Sequence, residues 1–160
     1  MNAQQIRCFL ESTTNLFSTM LSSTVEFGQP EMQPRERKHH DISGIIGLSG
    51  EIVGSVVVGF PTETALGAVE AFVGMPVSLD DDNFADAIGE LANIIAGGAK
   101  AKMEGEEISI SCPSVVIGTD YTVQRPRLAT CVRIPCRSPF GMFDLVVCIN
   151  TTAGRSAKAA

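Results

Sequence analysis

Four residues in the middle of the 160-residue chain have a spacing that could do chemistry: Asp86, Glu90, Asn93 and Gly97, separated by four, three and four positions. On an α-helix such spacing stacks side chains along one surface. A carboxylate and an amide would then point the same way. The amide donates and accepts hydrogen bonds without titrating, which suits holding a water in place, while a carboxylate suits gripping a cation. Asn is disfavoured inside helices by ~0.5 kcal/mol relative to Ala, and Gly by ~1 kcal/mol, so two of the four run against local preference. A glycine on that surface lets another molecule come close to the backbone. The plain alternative is an ordinary solvated helix face, which needs no chemistry.

Hydrolysis of a phosphoryl group is one reaction such a pair could serve. It needs little covalent help from protein, because metal and cationic groups stabilise the charge and water has only to be held in line. An Asn can do this as the Gln of a GTPase does. No magnesium cluster or phosphate cradle is evident, so a partner would have to bring the metal. There is no Walker or Rossmann glycine pattern and no nucleophile elbow, and Gly97-Gly98 lies inside a helix, where it makes a poor phosphate loop.

The element that must position these residues is the stretch Asp82 to Lys102, DNFADAIGELANIIAGGAKAK. Phe84, Ile88, Leu91 and Ile95 fall in a narrow arc opposite the polar stripe, which predicts an amphipathic helix from about Asn83 to Met103 turned toward a core. Asp80, Asp81 and Asp82 read as its start, Lys100 and Lys102 as cations at the favourable end of its dipole, and Gly105 as its stop. Residues 2 to 22 predict another amphipathic helix, capped by Asn2, with Ile6, Phe9, Leu10, Phe17, Met20 and Leu21 facing inward. Pro61-Thr62 opens a further helix carrying Ala65, Leu66, Val69, Phe72 and Val73, with Gly74 as its stop.

Strand-like text fills the remainder. Ile42 to Leu48 and Ile52 to Phe60 predict a hairpin turning at Ser49-Gly50-Glu51, and Gly44, Gly47, Gly54 and Gly59 mark close backbone approaches or bulges. Later runs at 108–112, 114–118, 128–136 and 142–150 alternate as sheet strands with one covered face do, with turns at Gly118 to Pro126 and Ser138 to Gly141. Thr24 to Phe27 can extend, and Gly28, Pro30 and Pro34 break the chain before the charged run Arg35 to Asp41. Three helices and about six strands predict an α+β fold, helices packed on a largely antiparallel β-sheet, as a single domain over 1–150 with a frayed tail over 151–160.

Composition narrows the function. With 44% hydrophobic residues the chain can build a real core. A net charge of -6 and a pI near 4.8 argue against nucleic acid or an anionic membrane as the main partner. Residues 42–60 approach the ~20 residues of a membrane span, but Glu51 would sit near mid-bilayer, and the hairpin accounts for the same residues without a buried charge. Five cysteines with neither a C-x-x-C pair nor a signal peptide read as reduced thiols in a cytoplasmic protein. His39 and His40 are adjacent and have no third His, so a solvated loop is favoured over metal ligation.

The text DISGIIGLSGEIVGSVVVGFPTETAL at 41–66 and DAIGELANIIAGGAKAK at 86–102, with the closing strands more loosely, resembles the CheX proteins of bacterial chemotaxis, within the wider CheC/CheX/FliY group. The resemblance covers most of the chain and implies a CheC-like fold. The family motif, Asp or Ser, three residues, Glu, two residues, Asn, falls on Asp86, Glu90 and Asn93. It implies a phosphatase for the aspartyl phosphate of a CheY-like response regulator, in which Asn93 orients the hydrolytic water and Glu90 contacts the regulator's lysine. Asp86 and Gly97 would contact the partner. No cofactor of its own is implied, since the magnesium belongs to the regulator. CheX proteins dimerise through their sheets, which implies a homodimer. Two-motif relatives repeat the motif on a second helix; here the first helix offers Arg7, Glu11, Thr14 and Asn15, which do not match it.

Two other functions fit the residues. A non-catalytic dimeric adaptor could bind a response regulator or a motor component through the same helix. A small-molecule binding domain of the same fold ranks last, because no converging polar groups can be named for it.

Overall fold

A computed structural model of the chain describes residues 1–33, 38–103, 105–123 and 129–151. Among these residues three helices, α1 (Ala3–Thr19), α2 (Thr62–Val73) and α3 (Asp82–Lys102), join eight strands: β1 (Glu26–Phe27), β2 (Glu31–Met32), β3 (Ile42–Gly50), β4 (Ile52–Phe60), β5 (Ile108–Ile110), β6 (Ser114–Ile117), β7 (Thr130–Ser138) and β8 (Gly141–Thr151). All lie in one sheet of order β1-β7-β8-β4-β3-β5, with β2 on β7 and β6 on β3. Every pairing described is antiparallel. The expected α+β architecture is therefore present. Thr151, expected to begin a frayed tail, closes β8; the rest of that stretch, from residue 152 on, and the charged stretch at 34–37 lie outside the described residues.

Local chemistry explains the element ends. Asn2 and Gln5 form a capping box: the Gln5 amide donates to Asn2 Oδ1 at 2.8 Å and the Asn2 amide to Gln5 Oε1 at 2.9 Å. Gly74 ends α2 in the left-handed region, φ 77°. The hairpin pairs Ile42 with Phe60 through Leu48 with Gly54, and Gly50 turns it at φ 104°.

The helices cover one face of the sheet. Phe9, Leu16 and Phe17 of α1, Val69 of α2, and Phe84, Ile88, Leu91 and Ile95 of α3 meet Ile46, Val56, Val58, Ile134, Leu145 and Val147 from the strands, all at most 2% exposed. Each such side chain contributes about 1.5–3 kcal/mol by leaving water. Phe17 stacks on Phe143 at 5.2 Å, and Phe143 on Phe60 at 5.2 Å.

Several expectations change. The strand count rises from about six because β1 and β2, two residues each, pair with the outer edge of β7. Met20 and Val73, expected on inward faces, are exposed. The opposite face of the sheet is not simply bare: Val57, Cys131, Val146 and Cys148 form a second small apolar cluster there. In that cluster Cys131 and Cys148 are joined by a disulfide, so the expectation of five reduced thiols fails for this pair. The cause is register, which sets the two residues directly opposite one another on β7 and β8 with Cα atoms 4.0 Å apart.

The histidines are not simply solvated either. His40 Nε2 lies 3.1 Å from Asp144 Oδ2, and the His39 ring stacks on Tyr121. Arg133 Nε donates to the same Asp144 oxygen at 2.6 Å. Burial pushes the Asp144 carboxyl up, but the hydrogen bonds from His40 and Arg133 outweigh it and hold the carboxyl below its ordinary range.

Candidate active site

Helix α3 begins where Asp81 accepts a hydrogen bond from the Asn83 amide at 2.9 Å, and it carries Asp82 in its first turn and Lys100 and Lys102 in its last. Its apolar stripe is fully committed to the core, which fixes the rotation of the helix about its axis. Three glycine contacts set its height over the neighbouring elements. A Cβ on Gly44 of β3 would lie 2.8 Å from Ala92 Cβ and 2.9 Å from the Ile88 carbonyl oxygen. One on Gly89 would lie 3.2 Å from the Pro113 ring, and one on Gly98 would collide with Ser12 Oγ of α1. Backbone packing requires the glycine at Gly44, while a methyl at Gly89 or Gly98 would have to displace the Pro113 ring or the Ser12 side chain.

The polar stripe faces away from that core. Asp86 and Glu90 are exposed, and Asn93 and Gly97 are half-buried. Asn93 Nδ2 donates to Glu90 Oε2 at 3.5 Å, so the amide and the carboxylate stand side by side across one helical turn. Among the described residues neither Asp86 nor Glu90 has an ion-pair partner. Gly97 differs from the other helix glycines: a Cβ there would meet only Ile110 Cδ1, at an ordinary 3.8 Å. Nothing among the described residues demands a glycine at this position.

On α1, the residues compared with a second motif are occupied otherwise. Glu11 pairs with Lys102 at 3.3 Å, and the Thr14 hydroxyl donates to the Leu10 carbonyl at 3.0 Å. Among the described residues no three His, Cys, Asp or Glu side chains are grouped to hold a metal ion. No helix described is long and apolar enough to cross a membrane, and residues 42–60 form the hairpin.

A family model described as chemotaxis phosphatase CheX matches residues 42–137, more than half of the chain. The chain belongs to the CheX family. It is 32% identical over 127 residues to the CheY-P phosphatase CheX of Thermotoga maritima, covering 78% of this chain and 82% of that protein. Its structure resembles that of a CheC-like superfamily protein from Shewanella sp. PV-4, with TM-score 0.84 and 28% identity over 93% of this chain and 99% of that one. It also shares its fold with CheX of Borrelia burgdorferi, solved as a CheX–CheY–BeF3–Mg²⁺ complex: TM-score 0.76, 21% identity, 93% of this chain and 99% of that one. The matched CheX region begins at the hairpin and takes in all of α3.

Beside the stripe lie residues that sequence reading did not single out. Pro113 and Val115, with Ala85 and Gly89 of α3, line an open depression next to Asp86 and Glu90. The available signal was Pro113 itself, a proline dividing two strand-like runs.

Proposed function

We propose that this CheX-family chain dephosphorylates the aspartyl phosphate of a CheY-like receiver domain, using Asn93 to orient the attacking water and Glu90 to engage the receiver's lysine. The observation that carries the reading is an amide beside a carboxylate that has no ion-pair partner among the described residues, on the solvent side of a helix whose other face is locked into the core. A rigid helix can present both groups to a partner without reorganising, which is where positioning catalysis gains its rate. The Asn93 amide would hold the water in line with the phosphorus. Attack forms the new P–O bond, breaks the acyl phosphate bond, and returns the aspartate as carboxylate with inorganic phosphate as product. The receiver supplies Mg²⁺, which neutralises the phosphoryl oxygens. Asp86 frames the approach and Gly97 gives clearance.

The names of two relatives support the substrate: a CheY-P phosphatase, and a CheX solved bound to CheY with BeF3 and Mg²⁺. A cytoplasmic homodimer belongs to the same reading. Support for the dimer comes from the helix-free sheet face, which carries the second apolar cluster and the exposed side chains of Val53 and Met142.

The test is the decay of phosphate from receiver domains of the same organism, phosphorylated in Mg²⁺. Added wild-type protein should hasten decay, Asn93→Ala should abolish most of the acceleration, and Glu90→Ala should chiefly raise the concentration needed. Binding without any change in phosphate lifetime, and indifference to Asn93→Ala, would make the chain an adaptor.

A further inference from the structure

The edge of the sheet beneath the stripe has an irregularity that sequence alone does not reveal. β5 and β6 are one interrupted edge strand, because both pair with β3: Ile110 faces Leu48 and Ser114 faces Ile45. Between those registers Ser111, Cys112 and Pro113 stand against Ile46 and Gly47, three residues against two, which is a bulge. Ser111 sustains it. Its amide donates to the Gly47 carbonyl at 2.9 Å, its Oγ accepts from the Gly47 amide at 2.9 Å, and the same hydroxyl donates to the Cys112 carbonyl at 2.7 Å. A side-chain oxygen thus stands in for a ladder carbonyl, and Pro113, with no N–H to place, turns toward α3.

There the Pro113 ring meets the helix backbone at Gly89. The result is an open depression of about 450 Å³ lined by Ala85, Gly89, Pro113 and Val115, with Asp86 and Glu90 on its lip. It lies one turn from Asn93. Asp86 and Glu90 are like charges at i and i+4, beyond the first turn where the helix dipole would favour them. Such a pair destabilises a helix by roughly 0.2–0.5 kcal/mol, and no described cation relieves it. A strand bulge, a buried glycine and an unrelieved acidic pair all converge on this one place.

We propose that this notch is a specificity pocket, taking an apolar side chain of the phosphorylated receiver that neighbours a Lys or Arg. The inference rests on the phosphatase reading for its partner. The apolar floor seats the side chain, and Asp86, the lip carboxylate not engaged by the receiver's lysine, pairs with the cation beside it. Charge complementarity fixes the register of the receiver on α3, and a receiver carrying a carboxylate there is rejected by repulsion. Asn93 makes the reaction possible, and the notch decides which receiver reaches it.

The experiment uses full-length protein and a receiver activated with beryllofluoride and Mg²⁺, with affinity measured by calorimetry. Ala85→Trp fills the depression from a half-buried position outside the apolar core cluster. It should weaken binding about tenfold, and in the decay assay the loss should appear in the half-saturating receiver concentration more than in the limiting rate. Pro113→Ala, which removes part of the floor at an exposed site, should act in the same direction if Ala85→Trp misfolds. An alanine scan of the receiver against both forms should locate the coupling at an apolar residue adjacent to a Lys or Arg. Unchanged affinity in both folded variants overturns the proposal, as does coupling centred on a residue with no basic neighbour. If wild-type protein binds the receiver but does not hasten decay, the phosphatase reading has failed while the notch is still tested by affinity.

Discussion

Replacing Gly97 and Gly98 by alanine, one at a time, should shift stability in opposite directions. Both residues sit in the interior of α3, where alanine is favoured over glycine by about 0.8–1 kcal/mol. At Gly97 the new methyl meets only Ile110 Cδ1 at 3.8 Å, so the full gain should appear, raising Tm by about 2–4 °C for a domain of this size. At Gly98 the methyl drives out Ser12 Oγ, which donates to the Ile94 carbonyl at 3.3 Å, forfeiting about 1 kcal/mol. It also approaches Ser12 Cβ to 3.2 Å, forcing α1 and α3 apart at an overpacking cost of about 1–3 kcal/mol. The propensity gain offsets only part of this, and the net is a loss of about 1–3 kcal/mol. Thermal and urea unfolding read both shifts. Gly97→Ala should also weaken the phosphatase toward its receiver while stabilising the fold, the signature of a glycine kept for a partner. A destabilised Gly97→Ala, or a stabilised Gly98→Ala, would refute the packing on which the site is built.

Acid should unfold the protein partly through Asp144. Its folded pKa lies below its unfolded one, so its stabilisation is complete above the unfolded value, about 3.9, and is lost as pH falls through the folded value. Asp144→Asn should flatten that part of the stability–pH curve; an unaltered curve would contradict the His40–Asp144–Arg133 contacts. Thiol counting checks the cysteines. In the native state exposed Cys112 should react promptly, while Cys8 and Cys136 resist, the latter because burial pushes its thiol up to about 12. Unfolding without reductant should release three reactive thiols, and five would show that Cys131 and Cys148 are not bonded.

What could be read from the sequence was what local physics determines. The 3.6-residue period of Phe84, Ile88, Leu91 and Ile95 showed which face of α3 is buried, and Asn2 and Asp81 start their helices with side-chain caps while Gly74 ends one in the left-handed region, all acting over a few residues. The hairpin followed from a turn of three residues. What could not be read depends on partners distant in the chain. The text at 108–118 looks like two strands, yet both occupy one edge position because each pairs with β3, some sixty residues earlier. The Cys131–Cys148 bond and the pairing of His40 with Asp144 likewise depend on sheet register, which no short-range signal specifies. Strands of two residues, as at β1 and β2, carry no periodicity to detect. At the site, the stripe was visible as spacing, but the depression beside it was not, because its floor comes from the bulge at Pro113.

The most direct measurement is the lifetime of phosphate on a Mg²⁺-bound receiver, alone, with wild-type protein, and with Asn93→Ala. Wild type should shorten the lifetime. The variant should lose on the order of 100-fold of the acceleration while keeping its melting curve and its affinity for the beryllofluoride-activated receiver. If folded, receiver-binding Asn93→Ala shortens the lifetime as well as wild type does, Asn93 does not position the water and the account is contradicted at its centre.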